Sequence, residues 1–117
     1  MINIYGLANC DTTKATIKLF KTESVSFDFH DYKVDGITGE KLQEWLTQIP
    51  LEKLLNKKST TWRGLSPEEQ ATANTETGAI LLMQENTSLI KRPLVEWNDG
   101  TYSAGFDEKA VLGKIKS

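Results

Sequence analysis

A short alternating segment that runs into a glycine, a polar loop and then an amphipathic stretch constrains this chain more than any other feature. Ile2 to Tyr5 alternate and stop at Gly6, the pattern of a short strand that ends in a loop. From Asp11 to about Glu23, Ala15, Thr16, Leu19 and Phe20 recur at helical spacing, while Lys14, Lys18 and Lys21 fall towards solvent. Val25 to Tyr32 is β-branched and aromatic, and its closeness to the first strand and helix predicts a right-handed parallel βαβ unit.

A helical section follows. Leu42, Trp45, Leu46 and Ile49 mark one helix, and Leu51, Leu54 and Leu55 a shorter one after Pro50. Another opens at Ser66, where Pro67 suits the first turn and Glu69 closes a capping box. A further helix is expected from about Glu76 to Asn86, with Ala79, Ile80, Leu82 and Met83 on its apolar side, although Gly78 weakens the pattern. After Lys91, Arg92 and Pro93, the runs Leu94 to Trp97 and Thr101 to Ala104 flank Asn98, Asp99 and Gly100, a hairpin signal. Asp107 then caps a final helix containing Ala110, Val111 and Ile115. The order β-α-β, helical insertion at about 38–87, β-β-α is the thioredoxin arrangement: an α/β fold with a mixed four-stranded sheet and helices on both faces.

At 117 residues the chain is expected to form a single domain, 1–117, burying roughly two-thirds of its unfolded surface. No repeat or low-complexity linker interrupts it. The formal charge of -2 argues against nucleic-acid binding. The opening residues lack the basic start and apolar run of a signal peptide, and no stretch is long enough to span a bilayer, so a cytoplasmic protein without membrane attachment is expected. A monomer is expected as well.

The single cysteine, Cys10, cannot form an internal disulfide, and with one distant histidine it makes no metal cluster. A lone cysteine in a reducing compartment is either a small buried hydrophobe or a reactive thiolate. Its position where a strand hands over to a helix favours reactivity, because the unpaired N–H groups and positive dipole end of that helix stabilise the thiolate. A thioredoxin-type pair needs a second cysteine three positions on, but Thr13 stands there, so an adduct on Cys10 has to be resolved by an outside thiol such as glutathione.

Arg63 and Arg92 are the only arginines among 14 basic residues. Guanidinium groups match oxyanions, and two beside a thiolate would both hold an anionic substrate and keep the sulfur ionised; each alone reads as an ordinary surface charge. Asn9, Asp11, Thr12 and Thr13 surround the sulfur with polar groups that cap the helix or donate to an anion, and Asn9, Thr12 and Thr13 are retained as candidate anion ligands. Pro93 is the candidate structural residue of the site. The commoner reading is a trans proline starting an edge strand; the alternative is a cis peptide that sets the Arg92 backbone against the active-site loop. His30 is expected to pack or bond to backbone rather than act as a base. Trp45, Trp62 and Trp97 are expected to pack in the core or at its rim, with Trp62 beside Arg63 a candidate wall of the site.

The segments Ile4–Gly6, Asn9–Thr12, Phe29–Tyr32, Asn56–Lys58, Thr61–Arg63 and Ser88–Pro93, in that order and spacing, resemble the ArsC/Spx family and most closely its short YffB-like branch. The resemblance covers nearly the whole chain. It implies a thioredoxin-like core with a helical insertion, a catalytic Cys10, and anion-binding Arg63 and Arg92. Arsenate reductases of that family form a thiol–arsenate adduct, pass it to glutathione and finish with glutaredoxin, which needs only one catalytic cysteine. They carry a third arginine beyond the final hairpin strand, where Tyr102 to Phe106 offers none. The similar Spx regulators bind the RNA polymerase alpha subunit and use a Cys-x-x-Cys pair that Thr13 breaks. The expectation is therefore a glutathione-dependent thiol reductase with no bound cofactor, glutathione as co-substrate, glutaredoxin as a candidate partner, and a small oxyanion or disulfide as substrate. An arsenate reductase proper and a non-enzymatic, transcription-associated protein are the alternatives.

Overall fold

The computed structural model describes residues 1–116. In chain order its elements are β1 (Ile2–Gly6), α1 (Asp11–Thr22), β2 (Phe27–Asp31), α2 (Tyr32–Asp35), α3 (Gly39–Leu46), α4 (Leu51–Leu54), α5 (Thr60–Gly64), α6 (Pro67–Ala71), a 3-10 turn at Thr72–Asn74, α7 (Glu76–Glu85), a second at Thr87–Leu89, β3 (Leu94–Glu96), β4 (Tyr102–Ala104) and α8 (Glu108–Lys116). They group into two units. Met1–Val34 with the chain from Arg92 onward forms one, and Asp35–Lys91 the other, which contains the expected helical insertion.

The first unit is built on a four-stranded sheet in the order β2-β1-β3-β4. β1 pairs parallel with β2, Ile4 opposite Phe29, and antiparallel with β3, Ile4 opposite Val95; β3 and β4 are antiparallel, Val95 opposite Ser103. This is the thioredoxin-like mixed sheet. Alternation along the strands places Ile2, Ile4, Val95 and Trp97 in one buried cluster with Phe20 of α1 and Val111 of α8. The Phe20 ring stacks on Trp97 at 5.6 Å and meets Phe27 edge-on at 5.5 Å, so one α1 side chain ties β2 to the residue that follows β3.

The second strand is shorter at both ends than its apolar composition predicts. After α1, Ser24 adopts a left-handed backbone with φ 57, and Val25 N–H bonds back to the Phe20 carbonyl, so helix termination consumes Val25. At the other end Asp31 Oδ1 accepts the Lys33 N–H at 2.8 Å and turns Tyr32 into the helical turn α2. Pro93 also departs from the commoner expectation: the Arg92–Pro93 peptide is cis, and β3, which follows it, is an inner strand between β1 and β4.

The second unit is a series of short helices joined by capped turns. α6 carries the expected capping box, Ser66 with Glu69, and Pro67 at its start. In α7 the four buried residues are Ala79, Ile80, Leu82 and Met83, as its spacing predicts. Gly78 is required there: a Cβ would lie 1.9 Å from the Thr72 carbonyl oxygen, so its absence lets the first turn of α7 approach the preceding backbone. Thr60–Gly64, to which the sequence pattern assigns no element, is helical because Ser59 caps it through the Trp62 N–H. Asn56 N–H to Leu89 O and Lys91 N–H to Leu54 O close the unit around the Leu55–Ile90 bridge.

Candidate functional site

The loop between β1 and α1 is held at both ends before it reaches the sulfur. Ala8 N–H bonds to Asp31 Oδ2 at 3.3 Å, and Cys10 N–H to Leu7 O at 3.0 Å. Gly6 allows the helix to close on the strand, because a Cβ there would lie 2.5 Å from Thr13 Oγ1. Cys10 thus occupies the N-cap of α1 with extended backbone, φ -87 and ψ 130, and its carbonyl accepts the first helical bond from Lys14 N–H.

A cap residue ordinarily satisfies one of the orphan N–H groups of the first turn with a side-chain oxygen. Cys10 forms no regular cap bond, and the Thr13 N–H acts on the sulfur as a weaker polar neighbour. Arg92 Nε donates to Sγ at 3.4 Å, Thr12 Oγ1 lies 3.2 Å from Sγ, and the Thr12 hydroxyl donates to the Arg92 carbonyl at 3.2 Å. Burial of the sulfur pushes its pKa up; the Thr12 hydroxyl, then Arg92, then the Thr13 N–H and side chain overrule it and bring the thiol down to about 6. At neutral pH the sulfur is mostly thiolate.

The candidate residues fall into distinct places. Cys10, Thr12, Arg92 and the cis peptide before Pro93 meet in the sheet unit. Thr13 belongs with them but is fully buried, its hydroxyl without a regular hydrogen-bond partner. Asn9 is exposed on the loop. Arg63 lies on α5 in the helical unit, exposed, with Nη2 donating to the Lys58 carbonyl at 2.7 Å. Trp62 beside it carries Lys57 Nζ 5.3 Å from its ring centroid. Trp45 and Trp97 are buried. His30 bonds to a side chain rather than to backbone, Nε2 to Asn3 Oδ1 at 2.9 Å, and stacks on Tyr5 at 4.5 Å.

Two residues that shape the site escape the sequence reading. Asp31 clamps the cysteine loop from the end of the second strand, and Gly6 seats Thr13; their one legible signal is position, a glycine and a carboxylate at neighbouring strand ends. Among the described residues no three His, Cys, Asp or Glu side chains come together as a metal site, and no helix is long and apolar enough to cross a membrane.

The family model described as ArsC family matches residues 5–113, nearly the whole chain. The chain belongs to the ArsC family. Its relatives include an uncharacterized protein of Haemophilus influenzae, 40% identical over 109 residues, covering 93% of this chain and 94% of that protein. Among solved structures, the YFFB protein superposes on this ArsC-family chain with a TM-score of 0.92 at 35% identity, covering 98% of this chain and 99% of the other. An arsenate reductase related protein from Brucella melitensis superposes with a TM-score of 0.74 at 33% identity, covering 99% and 95%.

Proposed function

We propose that this ArsC-family chain is a glutathione-dependent thiol reductase working through Cys10 alone. The observation that carries the reading is the sulfur at the start of α1, held by Arg92 and Thr12 and ionised near pH 6, with Thr13 where a partner cysteine would stand. In the first step the thiolate attacks one sulfur of a disulfide substrate; a new bond to Cys10 forms and the other substrate sulfur departs as thiolate. In the second, glutathione thiolate attacks the substrate sulfur of the adduct, a mixed disulfide leaves, and the bonding electron pair returns to Cys10. Arg92 and the Asn9 region hold the anionic groups of substrate or glutathione, and Arg63, in the helical unit, is proposed as a further anion ligand. Glutaredoxin reduces the released mixed disulfide, and a reducing cytoplasm and a monomeric state complete the proposal. The Brucella relative's description favours a second reading with arsenate as substrate; the absence of a third arginine in Tyr102 to Phe106 weighs against it.

Reduction of a small mixed disulfide by glutathione tests the proposal, with Cys10→Ser and Arg92→Ala as variants. Turnover lost in Cys10→Ser, and a thiol alkylation midpoint raised in Arg92→Ala, are expected. Turnover unchanged in Cys10→Ser would exclude the mechanism and favour an interaction protein.

A further inference from the structure

Thr12 stands between two groups that compete for one proton. A threonine hydroxyl has a single hydrogen to donate and two lone pairs to accept with. Its oxygen lies 3.2 Å from the Arg92 carbonyl oxygen and 3.2 Å from Cys10 Sγ. A carbonyl can only accept, so the bond to Arg92 exists only while Thr12 donates to it. The sulfur contact then has the opposite polarity, the Cys10 S–H donating to Thr12 Oγ1. When Cys10 gives its proton to solvent, the sulfur can only accept, and two acceptors face one hydrogen. Charge settles the competition, because a hydrogen bond to an ionised acceptor is roughly twice as strong as one to a neutral acceptor.

We propose that Thr12 is a two-position donor: its hydroxyl proton rests on the Arg92 carbonyl while Cys10 is a thiol or an adduct, and turns onto the sulfur when Cys10 is a thiolate. Thr13 also acts on the sulfur, but its buried hydroxyl has no regular hydrogen-bond partner and therefore no carbonyl to turn from. Thr12 is exposed and needs only a rotation about one bond. In resolution, as the bond between Cys10 and the substrate breaks and its electron pair moves to Cys10, the Thr12 proton swings from the carbonyl to the departing sulfur. Thr12 is then a catalytic residue that serves the sulfur rather than the substrate.

The proposal rests on Cys10 as the reactive sulfur and is independent of which thiol resolves it. Two readouts on wild type, Thr12→Ser and Thr12→Val test it: the pH midpoint of Cys10 alkylation by iodoacetamide, and the carbon-13 resonance of the Arg92 carbonyl across the same titration. In wild type and Thr12→Ser the carbonyl resonance is expected to move with the thiol midpoint. In Thr12→Val the midpoint is expected to rise by about one pH unit, a tenfold change in thiolate at fixed pH, and the carbonyl step to disappear. A Thr12→Val midpoint equal to wild type, or a carbonyl resonance flat in wild type or equally mobile in Thr12→Val, overturns the proposal. If glutathione turnover is absent in wild type while the Thr12→Val shifts appear, the glutathione reading falls and the two-position donor stands.

Discussion

Four helix starts within residues 35–91 and the start of α1 treat the same physical problem in opposite ways. Thr38, Ser59, Ser66 and Thr75 each direct a hydroxyl at a first-turn N–H, of Lys41, Trp62, Glu69 and Gly78 respectively. Each such bond stabilises a helix too short to stand by propensity alone. α1 begins instead with a cysteine and forgoes the cap bond, leaving the polar end of the helix to act on a sulfur. Those caps, like Asp107 before α8, hold a first-turn N–H with an oxygen, whereas the start of α1 presents a sulfur to groups that lower its pKa.

Exchanging the two kinds of cap breaks that contrast most sharply. Cys10→Ser is expected to abolish alkylation and turnover while leaving stability at about pH 5 unchanged or higher by up to about 1 kcal/mol, since serine is the better cap; urea melts beside an iodoacetamide assay check both. A destabilised Cys10→Ser at that pH would mean the sulfur also serves folding. The next effect belongs to the helical unit. Gly78→Ala improves helix propensity by about 1 kcal/mol but forces a Cβ into the Thr72 carbonyl, and overpacking of that kind costs about 1–3 kcal/mol, so a net loss is expected in urea unfolding. Ser66→Ala removes half of the capping box and is expected to lower stability by about 1 kcal/mol without moving the Cys10 titration. A shifted titration would show that the helical unit's caps are not confined to folding.

A pH dependence is expected as well. The folded thiol ionises near 6, whereas a free cysteine ionises near ~8.5. Between these values the unfolded chain binds more protons than the folded one, so stability rises with pH. The contribution is fully present above about 8.5 and is lost as pH falls through the folded value near 6. The difference in melting temperature between wild type and Cys10→Ser should therefore grow from pH 6 to about 8.5 and then level off. A flat difference across that window would exclude a native-state thiolate.

Much of this was legible in the chain because the forces involved act between near neighbours. The capping box of Ser66 and Glu69, the four buried positions of α7, the turn at Gly100 with φ 83 and the Asp107 cap, which accepts the Ala110 N–H, each depend on residues no more than a few positions apart. Cys10 could be placed at a helix start for the same reason. Val25 and Tyr32 fell outside their strand because local backbone bonds, to Phe20 and through Asp31, competed with β-propensity and won.

Sequence by itself determined the order of the four strands and of the longer helices, the candidate sulfur and the absence of a partner cysteine, since periodicity, caps and identity are properties of short segments. Tertiary structure alone decided that Arg92, 82 residues from Cys10, donates to its sulfur, that Asp31 clamps its loop, that Gly6 seats Thr13, and that Pro93 follows a cis peptide on an inner strand. The physical reason is range. A hydrogen bond or a charge acts on a thiol only within a few ångströms, and which distant residues come that close is set by the register of the sheet rather than by any local pattern.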